Sequence, residues 1–301
     1  MSGSEAPRHL WLFTYAAVEA FHTDMMDLAQ SALAELGWAE GPGLQIHRAF
    51  GNRDYRQTAA LAAAIVAEQP DVLLSFMTNA TLALLEAGAA CPIVTWSMDM
   101  AGGPGGGGVL PPNLTGISFS PTFQQDQLRL LRGLKPDLAR VGHLHNPGYA
   151  IAQPALERMT EAAKVLGIDL RAYTCTSAED LVATLARMAA EGRQAVTVGP
   201  HEMFNANGAA ISAAALAQGL PAIGLESLAL ADGVAGFAPD FPAIWRRGAA
   251  QAACLLAGTP PAMIPVDLSI PPRLVLNLRT CRLLGLTVPE EVLARADRLV
   301  R

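Results

Sequence analysis

A chain of 301 residues, 51% hydrophobic and 16% charged, holds enough apolar material for one large core or two medium ones, and that balance excludes a disordered polymer. Its 27 acidic against 21 basic residues give a net charge of -6 with no Lys/Arg run to neutralise a phosphate backbone, which argues against a nucleic-acid partner. Cys91, Cys175, Cys254 and Cys281 are widely spaced and form no CxxC pair, so buried free thiols are expected and no zinc-type site is.

From the N-terminus, the apolar run Leu10 to Val18 reads as a first strand rather than the core of a secretion signal. Short apolar runs then alternate with Ala/Leu-rich amphipathic segments, which predicts strands at 10-15, 43-50, 72-77, 92-98 and 114-120 and helices at 21-37, 54-68 and 79-88. Gly37 and Gly88 stand where a left-handed residue closes a helix. This is the pattern of βαβ units in an open parallel sheet.

The alternation restarts at Arg140 with RVGHLHNP, a helix near 150-166 stopped by Gly167, the strand DLRAYTC, a helix over 178-191 opened by Ser177 with Asp180 three residues on, and the strand AVTVGP. The uncharged stretch Phe204 to Leu225 contains Asn205, Asn207, Gln218 and Pro221, so it reads as a buried helix at 205-218 and a strand, not a membrane span. The strands PAIGLE and GVAGFAPD, a helix over 241-257, the strand RLVLNL and a closing helix at 289-299 complete the chain. The fold class expected is α/β, with two doubly wound parallel-sheet lobes.

Open parallel sheets bind ligands outside the carboxyl ends of their strands. The residues there are Tyr15, Thr78, Asn79, Ser97, Asp99, Asn146, Tyr149, His201, Phe204, Glu226 and Asp240, a mixture suited to a small polar ligand with an apolar part. Asp99, Glu226 and Asp240 are each candidates to pair an ammonium. Helices starting near Asn79 and Tyr149 would offer backbone N–H groups to a carboxylate, while Tyr15, Tyr149 and Phe204 are candidate ring faces.

Gly103 to Gly108 satisfies the spacing GxGxxG, but Val109-Leu110-Pro111-Pro112 follows where a dinucleotide site needs a helix, so a surface insertion is read there. The sequence contains no P-loop, GxSxG or HExxH motif. His143 and His145 share one face of a strand but lack a third ligand, which favours a structural role. No metal, cofactor or catalytic residue is assigned; an α/β enzyme using Asp99 or Glu226 as acid and base is the weakest competing reading.

The C-terminal segment IPPRLVLNLRTCRLLGLTVPEEVLARADRLVR, with EQPDVLLSFMTNAT at 68-81, CPIVTWSMD at 91-99, LTGISFS at 114-120, LKPDLARVGHLHNPG at 134-148 and LPAIGLE at 220-226, resembles the ABC transporter substrate-binding family that includes tryptophan- and tyrosine-binding lipoproteins. The resemblance runs over nearly the whole chain. It implies a type I periplasmic-binding fold, with lobe 1 at 8-120 plus 238-267 and lobe 2 at 121-237 plus 268-301, joined by hinge crossings near Ser118-Thr122, Ala235-Asp240 and Val266-Ser269. It further implies a monomer that captures a small ligand, in particular an amino acid, by lobe closure outside the cytoplasm and delivers it to an ABC permease. A cytoplasmic ligand sensor with the same fold is the alternative, because no signal segment is read in the chain.

Overall fold

The computed structural model describes residues 6-97, 109-118, 123-149 and 151-301. In chain order its first elements are β1 (Arg8–Thr14), α1 (Ala20–Glu35), β2 (Leu44–Phe50), α2 (Tyr55–Ala67), β3 (Val72–Phe76), α3 (Thr78–Glu86), β4 (Ile93–Ser97), β5 (Leu114–Ser118) and α4 (Phe123–Leu134). There follow β6 (Arg140–His145), α5 (Ala152–Val165), β7 (Asp169–Thr174), α6 (Leu181–Ala190), β8 (Ala195–Val198), α7 (Glu202–Ala206), α8 (Gly208–Ala217) and β9 (Ala222–Leu225). The last are α9 (Glu226–Leu230), β10 (Ala235–Ala238), α10 (Phe241–Leu256), β11 (Arg273–Asn277), α11 (Leu278–Leu283), α12 (Glu290–Arg295) and β12 (Arg298–Val300). These elements form two compact units, Met1–Ser120 with Asp240–Pro271 and Pro121–Pro239 with Pro272–Arg301.

In the first unit the sheet order is β2-β1-β3-β4-β5, parallel throughout. Strands β3 and β5 are buried at every position, as parallel strands covered on both faces must be. The two-residue period of a strand sorts their side chains. Leu10, Leu12, Leu74, Phe76 and Val94 meet Met26 and Leu33 of α1 and Trp245 and Leu256 of α10 on one face. Phe13, Leu73 and Ile93 meet Ile65 of α2 and Leu84 of α3 on the other. Gly37 and Gly88 end α1 and α3 at φ 88 and 80, the backbone expected of them. Residues 264-269 extend the sheet edge: Asp267 N donates to Gly116 O at 2.8 Å and Ser118 N to Asp267 O at 3.0 Å.

The second unit repeats the plan as β7-β6-β8-β9-β10, all parallel, and then adds β11 antiparallel to β10, with β12 alongside β11. Here the structure corrects several sequence expectations. The closing helix ends at Arg295, because Asp297 turns the chain onto the open edge of β11: its N–H donates to Leu274 O at 2.9 Å and its carboxylate accepts from Leu274 N at 2.7 Å. Residues 298-300 therefore form β12. The helix expected over 205-218 is broken at Asn207, whose amide donates to Met203 O at 2.8 Å and so closes α7 before α8 begins. The helices α4 and α11 are additional elements; α4 carries its apolar stripe on Phe123, Leu128, Leu131 and Leu134.

Candidate functional site

A strand order of this kind reverses direction between β1 and β3, and again between β6 and β8 in the second unit. Such switch points leave a crevice beyond the carboxyl ends of the strands. In the first unit the chain leaving β1 runs through Tyr15, whose hydroxyl donates to Arg53 O at 2.7 Å and whose ring lies 5.1 Å from that of Tyr55. The chain leaving β3 passes Met77 at φ 78 and ψ 140, a backbone that side-chain-bearing residues rarely hold and that is characteristic of strained functional turns. This turn starts α3 directly above the sheet edge.

Hydroxyls fix that first turn in place. Thr78 Oγ1 and Ser97 Oγ, both buried, are 2.8 Å apart, and Thr81 Oγ1 lies 2.9 Å from Ser75 Oγ and 2.5 Å from Thr95 Oγ1. Asn79 Nδ2 donates to Tyr55 Oη at 3.3 Å. Tyr15, Thr78, Asn79 and Ser97 are thus brought to one edge, with Tyr55 linking Tyr15 to Asn79. Asp240 serves as the N-cap of α10, its Oδ1 accepting from Ala243 N at 3.2 Å. Asp99 and the Gly103 to Gly108 stretch lie outside the described residues.

In the second unit Asn146 ends β6 in a tight turn, Oδ1 accepting from Gly148 N at 3.0 Å. His201 caps α7 through Nδ1, which accepts from Met203 N at 3.0 Å, so its proton resides on Nε2. Burial lowers its pKa and keeps the ring neutral. Its ring lies 6.0 Å from Tyr149 and 5.9 Å from Phe204. Phe204 is only 1% exposed and belongs to the core with Leu144, Leu185 and Ile211, so its ring is committed to packing and not to a ligand face. Glu226 lies 3.6 Å from the Arg298 guanidinium, which already partners its charge.

His143 is fully buried, its Nδ1 2.9 Å from Thr197 Oγ1, and desolvation pushes its pKa down to about 3, with His145 adding to the shift. Among the described residues no group of three His, Cys, Asp or Glu side chains is arranged to hold a metal, and the four cysteines are unpaired. A groove of about 650 Å³ runs along α10 and residues 264-269, lined by Arg247, Gln251, Cys254 and Asp267. It flanks β5 and is not at the switch point. Tyr55, the first residue of α2 beyond the loop that follows β2, is a further residue of the first sheet's carboxyl edge, and its place just after a strand is the signal that points to it.

A family model described as ABC transporter substrate binding protein matches residues 22-300. The chain belongs to this family. No curated protein matches it in sequence. Among solved structures, an ABC domain in complex with L-Trp from Streptococcus pneumonia superposes with a TM-score of 0.82 at 19% identity, covering 98% of this chain and 100% of that one. A conserved domain protein from Vibrio cholerae gives 0.81 at 24% identity, covering 97% and 99%. A carbohydrate transporter solute binding protein from Agrobacterium Radiobacter, in complex with D-arabinose, gives 0.64 at 13% identity, covering 98% and 100%. These likenesses establish the periplasmic-binding-protein fold. As a substrate-binding transport protein the chain binds a small molecule without transforming it, and the family's partner is a membrane permease. Among the described residues no helix is long and apolar enough to cross a membrane.

Proposed function

We propose that this substrate-binding protein captures an amino-acid-like solute with an apolar side group, closing its lobes on it and handing it to the permease of an ABC importer outside the cytoplasm. The observation that carries the reading is the meeting of Thr78, Asn79 and Ser97 at the carboxyl edge of the first sheet, above a strained turn that aims the N-terminus of α3 there. A helix N-terminus with adjacent hydroxyls suits a carboxylate. Asn146, Tyr149 and the Nε2–H of His201 form the corresponding edge of the second unit. The L-Trp complex of a relative supports an amino acid over other carboxylates.

Asp99 is the preferred ammonium acceptor in this reading, since Glu226 is paired with Arg298 and Asp240 caps α10. A thermal-shift screen of amino acids, sugars, nucleosides and aromatic acids tests the class. Ligand at 100 times its Kd adds about 2.7 kcal/mol, and amino acids are expected to raise the melt. Asp99→Asn then weakens binding by roughly 1.5 to 3 kcal/mol. A shift by sugars alone, as the D-arabinose relative would suggest, refutes the amino-acid assignment. Equal radii of gyration with and without saturating ligand count against closure.

A further inference from the structure

Four hydrogen bonds pin Met77, the positive-φ residue between β3 and α3. Its N–H donates to Trp96 O at 3.1 Å, and its carbonyl accepts from Ala80 N at 3.1 Å, Thr81 N at 3.3 Å and Thr81 Oγ1 at 3.4 Å. Only glycine holds such a backbone freely, so Met77 keeps it because its surroundings impose it. Met77 offers no side-chain cap, and the N–H groups of Thr78 and Asn79 therefore have no partner within α3.

Of the four bonds, the one from Thr81 Oγ1 alone comes from a side chain, and that oxygen is the centre of a buried network. It lies 2.9 Å from Ser75 Oγ of β3 and 2.5 Å from Thr95 Oγ1 of β4, and all three side chains are fully buried. A hydroxyl donates one proton and accepts two. Met77 O can only accept, so the Thr81 proton goes to it, and the Ser75 and Thr95 protons go to Thr81, an assignment that satisfies every member. Thr81 is thus the point through which two adjacent strands hold the carbonyl of the strained residue. Among the described residues neither Ser75 nor Thr95 has another side-chain partner.

We propose that Thr81 is a positioning residue of the binding site. Being fully buried, it does not touch the solute; it holds the Met77 turn so that the first amides of α3, the Thr78 hydroxyl and the Asn79 amide keep one geometry at the sheet edge. This rests on the reading that the carboxyl edge of the first sheet holds the solute, and it goes further by separating the residues that face the solute from the one that aims them. An edge ordered in advance loses less conformational freedom on binding, so loosening the turn lowers affinity without removing any contact.

The test compares Thr81→Val, which keeps the shape and loses the hydroxyl, with Thr81→Ser, which keeps the hydroxyl and loses a methyl group. Both variants lower the melt, so stability does not discriminate between them. Two readouts do: amide hydrogen exchange at 77-81 relative to the rest of the first unit, and calorimetric titration of the full chain with L-Trp, L-Leu and D-arabinose. Thr81→Val should speed exchange selectively at 77-81, and the probe that binds the wild type should lose about tenfold in affinity, while Thr81→Ser stays within about twofold on both. Equal behaviour of the two variants, or unchanged affinity in Thr81→Val, overturns the positioning role. If Thr81→Val does not fold, Ser75→Ala is the milder variant, because it removes one of the two protons donated to Thr81; no effect on either readout there overturns the proposal. Binding of D-arabinose and of neither amino acid refutes the amino-acid reading, and Thr81 is then judged on D-arabinose by the same comparison. If no probe binds the wild type, exchange decides: a rise at 77-81 confined to Thr81→Val upholds the positioning role, and equal exchange in the two variants overturns it.

Discussion

His143 holds a neutral imidazole inside the second unit, hydrogen-bonded to Thr197, and burial pushes its pKa to about 3. An unfolded chain titrates its histidines near the ordinary value of about 6.5, so below that pH the unfolded state binds a proton that the folded state refuses. The contribution is fully present above about pH 6.5 and is lost as pH falls toward 3. Between pH 7 and 5 this one residue should remove about 2 kcal/mol of stability. His22, His145 and His201 are shifted in the same direction by burial, so the comparison must be made by difference. His143→Gln keeps a polar partner for Thr197 without a titrating group and should flatten the dependence of the urea midpoint on pH over that interval. An unchanged slope in the variant would show that the folded ring protonates normally. At this scale the sequence revealed which residues end strands but not where their side chains go. Phe204 and Phe241 both stand near the start of a helix after a strand; one is sealed in a core and the other meets Trp96 at an open edge. Only the tertiary placement of α7 and α10 separates them.

Strand β5 shows how an element can depend on one missing side chain. Gly116 sits at φ 151 between β4 and the segment 264-269, and a Cβ there would stand 1.9 Å from Thr95 O, a backbone atom that cannot step aside. Its own carbonyl accepts from Asp267 N, at 2.8 Å, and from Gln251 Nε2, at 3.3 Å, so the strand cannot shift without breaking both. Gly116→Ala should cost about 3 kcal/mol or more, combining backbone strain with overpacking. Gly142→Ala is the control, because the new methyl meets the flexible Met188 thioether at 2.7 Å, and its loss of stability in urea unfolding should be smaller. Equal losses would mean that the strands can separate at β5. The parallel strands were legible because their apolar runs are short, continuous and bounded by turn residues. Helix α4 is marked just as clearly, since Phe123, Leu128, Leu131 and Leu134 set an apolar stripe at helical spacing against Gln125, Arg129 and Arg132, although no expected element covers it. The three-residue β12 carries no periodic signal of its own and exists only because β11 leaves an edge to pair.

Across the whole molecule the chain enters the second unit, returns to the first for α10, and comes back for its last thirty or so residues, so the C-terminal segment is part of a core and not an appendage. Residues 235-238 of β10 pair with 273-276 of β11, and Asn277 Nδ2 reaches back to Ala229 O at 3.0 Å and Ala231 O at 2.9 Å. Leu274, Val275, Leu276 and Val292 are buried. Removing those side chains from the second unit forfeits on the order of 10 kcal/mol of apolar burial, comparable with the whole stability of a typical domain. It also strips the edge of β10 and leaves its backbone groups to solvent. Truncation after Asp267 should therefore leave the first unit's sheet and α10 complete while the second unit fails to fold. The purified product is expected to be insoluble or to lose amide protection throughout 195-238, with protection in β1 and β3 retained. A truncated chain that melts cooperatively near the parental temperature would show that β7-β6-β8-β9-β10 is self-sufficient, as its counterpart order in the first unit would suggest if strand order alone determined stability.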